Sequence, residues 1–481
     1  MIFLAYGFWI FCKMHYFCTA KLSRGSSDWL ERQTVDLEVM GSIPIPGTGY
    51  SGQPEKKVCP LFYYLIVFYL IYLSTTENSF LILFSGFLGG GFFVFLKIII
   101  FKKIPIKIPI MKALSFISKD LNELKNKLAS LDFQPTLAFV FSDVSFPISE
   151  IQEIFNSKNI DLFGATSAGE IVNDRFYEQT ISTLVVDIPK DWYKIHIETG
   201  LDQWTALGIS LGNAAKNSFT NPSIILTAPG FAGGDFILKG LNFQIGGDVK
   251  VIGGFAGDDL SFSKARIYSN YKKTDKGLLA VILDADKILI DGRAINGWTT
   301  LPMRYIVTEA ENNIVYKINE RPAIEVFMEV YNISPDHIVD LINNFGPKYP
   351  SLIYRYSRPS VMRHPIKADL DSGALIYSAF IPQMSEIAFG VPATREILKE
   401  TADRMKQVKD KYPEIDAGIM FSCKARHLAF GEHMNDEISQ VYSYWNKPMA
   451  GLFTYGEIGI AEDGKSDFHN ETFNLLIMRE K

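Results

Sequence analysis

Short apolar runs and amphipathic segments alternate along most of this chain, and one arrangement of them occurs three times. Three apolar runs have the length of buried strands, at residues 137–141, 224–227 and 418–421. Each is followed by a segment with helical spacing and then by a second apolar run, at residues 160–163, 249–252 and 449–453. In the third copy the helix is predicted over residues 435–445, with Asn435 as its N-cap. The pattern therefore predicts three strand–helix–strand units.

Each unit ends in a glycine-containing turn with a carboxylate directly beyond it. The first and third turns share the pattern Gly-x4-Gly-Glu-Ile and end in Glu170 and Glu457, whereas the middle turn is one residue shorter and ends in Asp258. Open α/β sheets place ligands where strands end, so these carboxylates are candidates for holding a cation or an α-amino group. The alternative is that each carboxylate caps its own turn.

The glycines of these turns are the second recurrent feature. We interpret Gly164, Gly169, Gly257 and Gly456 as structural turn residues. Glycine adopts a positive φ at little steric cost, and we expect the last three of them to do so. The alternative to a ligand site at these turns is that the glycines only supply tight turns.

The third unit adds polar residues at the same sheet edge. Residues 422–432 connect its strand to its helix, and a strand–helix–strand crossover returns parallel to its start. We therefore expect Cys423, Arg426 and Glu432 to lie near Glu457. A guanidinium pairs bidentately with a carboxylate, so Arg426, Arg321 and Arg363 are the candidate carboxylate partners, and the edge offers both signs of charge. This combination predicts binding of a small zwitterion or carboxylate.

Two residues also permit an enzymatic interpretation. Cys423 lies close in sequence to His427 and His433, so it is a candidate nucleophile, although packing of a strand end explains it better. Ser167 lacks the glycine two positions earlier that a nucleophile elbow needs, since Ala165 stands there. Its hydroxyl is either a hydrogen-bond donor to a ligand or a group that stabilises the turn.

Several stretches carry a resemblance to a known family. They are residues 161–172, 250–262, 319–326, 421–423 together with 430–432, and 448–458. They resemble the FIST family, and the resemblance extends over residues 111–481. It implies an intracellular small-ligand-binding module of the bacterial sensory branch, with amino acids or their derivatives as ligands and no established catalytic cysteine. Met384-Ser385-Glu386 departs from the glycine that family members usually have there.

The predicted fold class is α/β, with two domains, mixed β-sheets and flanking helices. The resemblance implies a FIST-N domain over residues 111–297 and a FIST-C domain over residues 298–481. The turn dipeptide Asn296-Gly297 marks the boundary. A strand pattern follows the first Gly-Glu turn closely, so the sheets cannot be wholly parallel.

Residues 1–110 form a hydrophobic extension with two competing interpretations. Taken literally, residues 80–101 are a membrane helix that anchors the remainder on the cytoplasmic side. Alternatively, residues 25–32 and 41–44 can be encoded by segments that resemble the D-arm and T-arm of a transfer RNA gene. We favour this second interpretation, in which translation starts at Met111.

The composition of the chain and the motifs that it lacks reduce the number of possible classes of function. The formal net charge of −5 gives no reason to expect a nucleic-acid partner. Three of the four cysteines precede residue 60, so the remainder has a single thiol, which suits a reducing cytoplasm. No metal-ligand spacing is present, and we predict neither a metal nor a cofactor. Because no kinase, cyclase or methyl-accepting pattern occurs, we predict a ligand sensor that relays to a separate signalling protein.

Overall fold

The computed structural model of this chain describes residues 111–481, except 201–202, 231–232 and 392–393, together with three strands before residue 111. The chain divides into two compact units, Met1–Ile104 and Pro105–Lys481. The described strands of the first unit form an antiparallel sheet and are β1 (Tyr69–Ser74), β2 (Ser79–Ser85) and β3 (Lys97–Lys102).

The membrane helix considered for residues 80–101 is not formed. Parts of this segment belong to β2 and β3, so the prediction of one continuous helix is wrong. Within the described residues, no helix is long and apolar enough to cross a membrane. The segments that resemble transfer RNA arms, at residues 25–32 and 41–44, lie outside the described residues.

The second unit contains both helices and strands. The helices are α1 (Leu121–Ala129), α2 (Ile148–Ser157), α3 (Trp204–Ser218), α4 (Gly234–Ile245), α5 (Ala323–Tyr331), α6 (Ile338–Phe345), α7 (Arg395–Lys411), α8 (Lys424–Phe430) and α9 (Met434–Ser443). The strands are β4 (Ala113–Ser118), β5 (Leu137–Ser142), β6 (Asp161–Thr166), β7 (Glu170–Val172), β8 (Arg175–Tyr177), β9 (Ile181–Val186), β10 (Tyr193–Thr199), β11 (Pro222–Thr227), β12 (Val251–Gly254), β13 (Ile267–Tyr268), β14 (Lys273–Thr274), β15 (Gly277–Asp284), β16 (Ile288–Ile295), β17 (Tyr305–Glu311), β18 (Ile314–Ile318), β19 (Arg321–Pro322), β20 (Ser351–Arg355), β21 (Arg358–Arg363), β22 (Pro365–Asp369), β23 (Ala374–Tyr377), β24 (Glu386–Phe389), β25 (Ala417–Cys423), β26 (Met449–Thr454), β27 (Glu457–Ile460), β28 (Ser466–His469) and β29 (Phe473–Glu480).

The order of these elements repeats three times. Repeat 1 runs β4–α1–β5–α2–β6, then a hairpin β7–β8, then β9. Repeat 2 runs β10–α3–β11–α4–β12, hairpin β13–β14, then β15. Repeat 3 begins with β16 and continues, after an insertion, as α7–β25–α8–α9–β26, hairpin β27–β28, then β29. In each repeat the two strands joined through a helical crossover are parallel, which confirms the three predicted strand–helix–strand units.

Each repeat contributes four strands to one six-stranded sheet and gives its hairpin to a neighbouring sheet. Sheets 1, 2 and 3 have the orders β4-β9-β5-β6-β13-β14, β10-β15-β11-β12-β27-β28 and β16-β29-β25-β26-β7-β8. The hairpin of repeat 1 therefore pairs in sheet 3, that of repeat 3 in sheet 2, and that of repeat 2 in sheet 1. These exchanges link the three sheets in a closed ring.

The three sheets share one core and have separate outer layers. Their inner faces pack together in a cluster that includes Phe139, Ile252 and Leu452, and the rings of Phe141 and Phe421 meet edge to face at 6.3 Å. Separate apolar clusters join α1 and α2 to sheet 1, α3 and α4 to sheet 2, and α7 to α9 to sheet 3. Central strands are thus buried on both faces, which explains why they read as continuous apolar runs.

The insertion in repeat 3, residues 305–389, is a smaller α/β element that we call the insert. Its strands have the order β21-β20-β24-β17-β18-β23-β22, with β19 paired to β18. Its own core includes Val307, Phe327, Ile338 and Phe389. We call the three sheets and their flanking helices the body, and the insert leaves the body after β16. This point is close to the predicted domain boundary at residues 297 and 298, which stays a prediction.

The observed architecture confirms the predicted fold class, α/β with mixed sheets and flanking helices. The predicted N-cap is wrong, because α9 begins at Met434 and its N-cap is His433. Asn435 lies inside the helix, where its side-chain oxygen accepts the backbone amide of Phe176 at 3.0 Å.

The predicted turn glycines behave differently from one another. Gly169 has a φ of +129°, as expected, whereas neither Gly257 nor Gly456 adopts a positive φ. Gly164 is not in a turn, because it lies inside β6. A Cβ there would come 2.1 Å from the ring of Tyr268, so this glycine makes room for an aromatic side chain.

Space, not backbone conformation, explains the other two glycines. A Cβ at Gly257 would lie 2.8 Å from Ala168 Cβ and 3.0 Å from the Ala168 backbone nitrogen. A Cβ at Gly456 would lie 2.6 Å from Phe468 Cζ. The prediction of positive φ at these two positions is wrong. A side chain is excluded at Gly257 by the neighbouring turn and at Gly456 by the ring of Phe468 in β28.

We predict that Gly257→Ala lowers the free energy of unfolding by about 1–3 kcal/mol, since the added methyl group overpacks a backbone contact. Gly247→Ala is the matched control, because a Cβ at that position meets nothing within 4 Å. Thermal and urea unfolding of both variants measures the difference. Equal stability of the two variants would contradict the packing explanation.

Candidate functional site

The three glycine–acid turns lie against one another where the sheets meet. Amide-to-carbonyl hydrogen bonds join each pair of turns: Gly257 to Thr166 (3.1 Å), Ala168 to Phe453 (3.1 Å) and Phe255 to Gly456 (2.8 Å). The turns do converge, as a shared site would require. These hydrogen bonds close the turns on one another through their backbones.

Glu170 and Glu457 are fully buried, and each accepts hydrogen bonds from two hydroxyl groups. The donors are Ser167 and Thr180 for Glu170, and Thr454 and Thr472 for Glu457. Burial raises the pKa of Glu170 to about 7 and that of Glu457 to about 8. Both carboxyl groups thus act within their own turn, and Ser167 serves to stabilise its turn.

Asp258 also binds its own turn. Its carboxylate accepts the Tyr455 hydroxyl at 2.6 Å and the backbone amides of Phe262, Ser263 and Lys264 at 3.1, 2.9 and 2.8 Å. Burial opposes ionisation, but these hydrogen bonds outweigh it and lower the pKa of Asp258. The geometry of all three recurrent carboxylates favours the turn-capping alternative.

Residues 469–472, which comprise the last residue of β28 and its connection to β29, are different, and we call this segment the tip. Asn470 is fully buried, and neither its side-chain oxygen nor its side-chain nitrogen has a hydrogen-bond partner among the described residues. Glu471 is fully buried as well, with one carboxylate oxygen 2.8 Å from His364 Nδ1 but outside hydrogen-bond geometry. Buried polar groups are nearly always paired, so the tip presents hydrogen-bonding capacity that the fold does not use.

Two buried arginines hold the tip from opposite ends. Arg363, at the end of β21, donates to the carbonyl of Phe468 at 3.3 Å and pairs with Asp235 at 3.3 Å. Arg426, in α8, donates to the carbonyl of Glu471 at 3.3 Å and forms a buried ion pair with Glu437. In both arginines the Nε atom has no partner within the part of the chain that the structure describes.

The insert covers the tip through further ion pairs. Arg355 and Arg358 both approach Asp467 of β28, and Arg358 also donates to the carbonyl of Ser466 at 3.1 Å. With Arg363 and His364, the insert thus sets four cationic or titratable side chains against the tip and its strand. The site is closed, since its side chains are almost entirely buried.

Cys423 ends β25 beside the tip, and its amide donates to the carbonyl of Thr472 at 3.0 Å. Burial, together with the nearby Glu457 and Glu471, raises the pKa of the thiol well above its usual value. A reactive cysteine needs the thiolate form. The environment therefore keeps Cys423 protonated and gives no support to a nucleophilic role.

Family models match two consecutive stretches of the chain. The FIST N domain matches residues 136–321 and the FIST C domain matches residues 323–460. The chain belongs to the FIST family. These matches confirm the resemblance seen in the motifs. FIST domains are sensory domains of signal transduction. No curated protein matches the chain.

The FIST fold brings three of the predicted site residues to the tip or next to it, whereas Ser167, Glu170 and Asp258 bind within their own turns. Cys423 and Arg426 lie at the tip, and Glu457 is connected to it through the hydroxyl of Thr472. Glu432 is exposed in the short helical turn Gly431–His433, whereas Glu457 is fully buried, and their expected proximity stays a prediction.

Sequence reasoning missed three residues of this site, namely His364, Asn470 and Glu471. His364 comes from the insert, and no spacing relates it to Cys423. The other two lie beyond the FIST C match, which ends at residue 460. Aligning residues 469–472 with residues 177–180 would have placed them, because each segment ends in the threonine that binds a turn carboxylate.

Other features of the surface offer no better site. Among the described residues, no group of three or more His, Cys, Asp or Glu is placed to hold a metal ion. One groove of about 460 Å³ is lined by residues such as Lys190 and Lys272, and another of about 430 Å³ by residues such as Lys250 and Lys481. Neither groove is lined by the tip.

We predict that Glu457→Gln becomes progressively more stable than wild type as pH rises. The carboxyl of Glu457 titrates near 4.5 when unfolded and at about 8 when folded. Its stabilising contribution is therefore complete below pH 4.5 and declines, by up to about 1.4 kcal/mol per pH unit, until about pH 8. Glutamine cannot ionise, so its contribution to the free energy of unfolding does not change with pH.

The measurement is the midpoint of thermal unfolding for both proteins at pH values from 5 to 8. Glu432→Gln serves as the control, since this carboxylate is exposed. A difference between Glu457→Gln and wild type that stays constant over this range would show that Glu457 is not buried in its protonated form.

Proposed function

We propose that this FIST protein is a sensor that binds a small zwitterion or carboxylate, such as an amino acid, at the tip and relays the signal to a separate protein. The observation that carries the proposal is the fully buried Asn470, whose amide is unpaired among the described residues. Around it lie Cys423, Arg426 and Glu471. We infer that the protein works in the cytoplasm, where a buried free thiol such as Cys423 stays reduced.

The unpaired groups at the tip match both ends of an amino acid. The donors are Asn470 Nδ2 and the Nε atoms of Arg363 and Arg426. The acceptors are Asn470 Oδ1 and one carboxylate oxygen of Glu471. A ligand with an ammonium and a carboxylate group supplies a partner for each set, and charge-assisted hydrogen bonds are the strong ones.

Binding at a closed site requires movement, and the insert is the element that covers the tip. Its ion pairs with Asp235, Asp467 and Glu471 would separate when the insert lifts. A ligand that binds the open and closed forms with different affinity shifts the balance between them. Displacement of the insert is thus the signal that a downstream protein would detect.

We predict that Glu471→Gln weakens binding of the amino acid or small carboxylate found by a thermal-shift screen roughly tenfold or more, because it removes one charge-assisted hydrogen bond. The variant should fold, since Gln179 occupies the corresponding position of repeat 1 with a φ of +56°, close to the +59° of Glu471. Isothermal titration calorimetry measures the affinity. Glu432→Gln is the matched control and should bind like wild type.

Asn470→Ala separates a binding role from a structural one. Removing an unpaired buried amide should leave the free energy of unfolding unchanged or higher, while ligand affinity falls. Loss of stability together with unchanged affinity would place the ligand elsewhere. Turnover that is lost in Cys423→Ala would instead favour an enzyme, and the absence of binding by any amino acid or small carboxylate would refute the proposal.

A further inference from the structure

The first strand of repeat 2, β10, has an open edge that the first strands of the other repeats do not have. All three, β4, β10 and β16, are edge strands of their sheets. In repeats 1 and 3 a side-chain hydrogen bond joins this strand to the hairpin of the same repeat: Ser115 Oγ donates to Asn173 Oδ1 at 2.7 Å, and Arg293 Nη1 donates to the carbonyl of Ala461 at 2.6 Å. No hydrogen bond joins β10 to the β13–β14 hairpin in the part of the chain that the structure describes. Instead, both of them line the groove of about 460 Å³.

The backbone of β10 presents hydrogen-bonding groups along this open edge. β10 pairs with β15 in an unbroken antiparallel register, and the amide of Asp284 donates to the carbonyl of Trp192 at 2.8 Å where this pairing begins. Residues of an antiparallel pair alternate between hydrogen-bonded and non-hydrogen-bonded positions. Counted from Trp192, Ile195 and Ile197 occupy non-hydrogen-bonded positions, so their amides and carbonyls point away from β15, on the side of the groove. An edge of this kind is a template for pairing with another chain.

The lining of the groove carries a net positive charge. It includes three exposed lysines, Lys190, Lys194 and Lys272, and one carboxylate, Asp161. Asp161 pairs with Lys190 at 3.3 Å, so the lining leaves the charges of Lys194 and Lys272 uncompensated. The groove therefore suits an acidic ligand.

The side chains of β10 determine which pattern an added strand would need. Successive side chains of a strand point to opposite faces, and side chains opposite each other on neighbouring strands interact. Ile195 and Ile197 pack against the core that the three sheets share, whereas Lys194 is exposed on the other face. Glu198 lies on the same face as Lys194 and already accepts the hydroxyl of Ser210. An added strand would thus place apolar side chains on the inner face and acidic side chains on the outer face.

We propose that the open edge of β10 binds an extended segment of a partner protein in which acidic and apolar residues alternate. The segment adds to sheet 2 as a further strand, and its backbone bonds to the outward amides and carbonyls of β10. Its acidic side chains pair with Lys194 and Lys272. A second copy of this chain is a poorer occupant, because pairing of β10 with itself would bring the same lysines together. The proposal does not depend on ligand binding at the tip.

The test uses the full chain and an array of acetylated, amidated peptides of seven residues, the length of β10, in which Asp or Glu alternates with Val, Ile or Leu. A matched array has Lys in place of every acidic residue. We expect binding by acidic peptides and not by basic ones. The acidic peptide that binds most strongly is then titrated against variants by fluorescence anisotropy. Absence of binding by every acidic peptide, or equal binding by the two arrays, would overturn the proposal.

Two kinds of variant separate strand addition from attraction between charges alone. Lys194→Glu combined with Lys272→Glu should weaken binding at least about tenfold, whereas Lys447→Glu, at an exposed lysine outside the groove, should not. Ile195→Pro should also weaken binding about tenfold, because it removes an outward amide that β15 does not use and leaves a carbonyl of the peptide unpaired. Ile195→Val keeps this amide and is the matched control.

Thermal unfolding establishes that each variant is folded. N-methylation of alternate amides in the peptide gives a second measurement that needs no variant: one of the two alternate sets should abolish binding and the other should preserve it. Binding that survives both Ile195→Pro and either set of methyl groups would overturn strand addition and indicate an ionic contact. A dimer that light scattering detects, and that Ile195→Pro dissociates, would assign the edge to a second copy instead and also overturn the proposal.

Discussion

The exchange of hairpins between neighbouring sheets is the constraint on which the rest of the structure depends. Each glycine–acid turn ends a strand of one sheet and sends the chain into the next, so no repeat completes its own sheet. The turns must approach closely enough for their backbones to form hydrogen bonds, which leaves no space for a Cβ at Gly257. At Gly456 the ring of Phe468 fills the space that a Cβ would need. The recurrent glycines and carboxyl groups are thus requirements of this ring before they are anything else.

Comparison of the repeats separates the residues that hold the ring from those available for function. Thr180 and Thr472 bind their turn carboxyls in the same way, and Gln179 and Glu471 share the same left-handed backbone conformation. That conformation therefore belongs to the repeat and is no sign of a site. What distinguishes repeat 3 is that the insert buries the tip, whereas Gln179 is exposed. Of residues 177–180 in repeat 1 and residues 469–472 in repeat 3, only the second segment contains buried polar groups without partners.

The strand–helix–strand units were predictable because run length and helical spacing are local properties of the sequence, and the structure confirms them. The sheet that the hairpin after each turn joins was not predictable, since the hydrogen-bond partners of that hairpin come from another repeat. For the same reason the carboxylates were expected to face a ligand, whereas Glu170 and Glu457 meet hydroxyls from their own turn and hairpin. His364 was missed because the insert brings it to the tip from a separate sheet.

The closed state of the tip sets a condition on any sensor built from it. A ligand shifts a two-state equilibrium only by the difference between its affinities for the two states, so contacts that persist in both contribute nothing to the signal. The pair of Arg426 and Glu437 lies within the body and is therefore suited to hold the tip in either state. The pairs of Arg363 with Asp235 and of His364 with Glu471 join the insert to the body, so they would break if the insert lifted. Sensitivity of the signal should therefore reside in the residues of the insert, and affinity in those of the body.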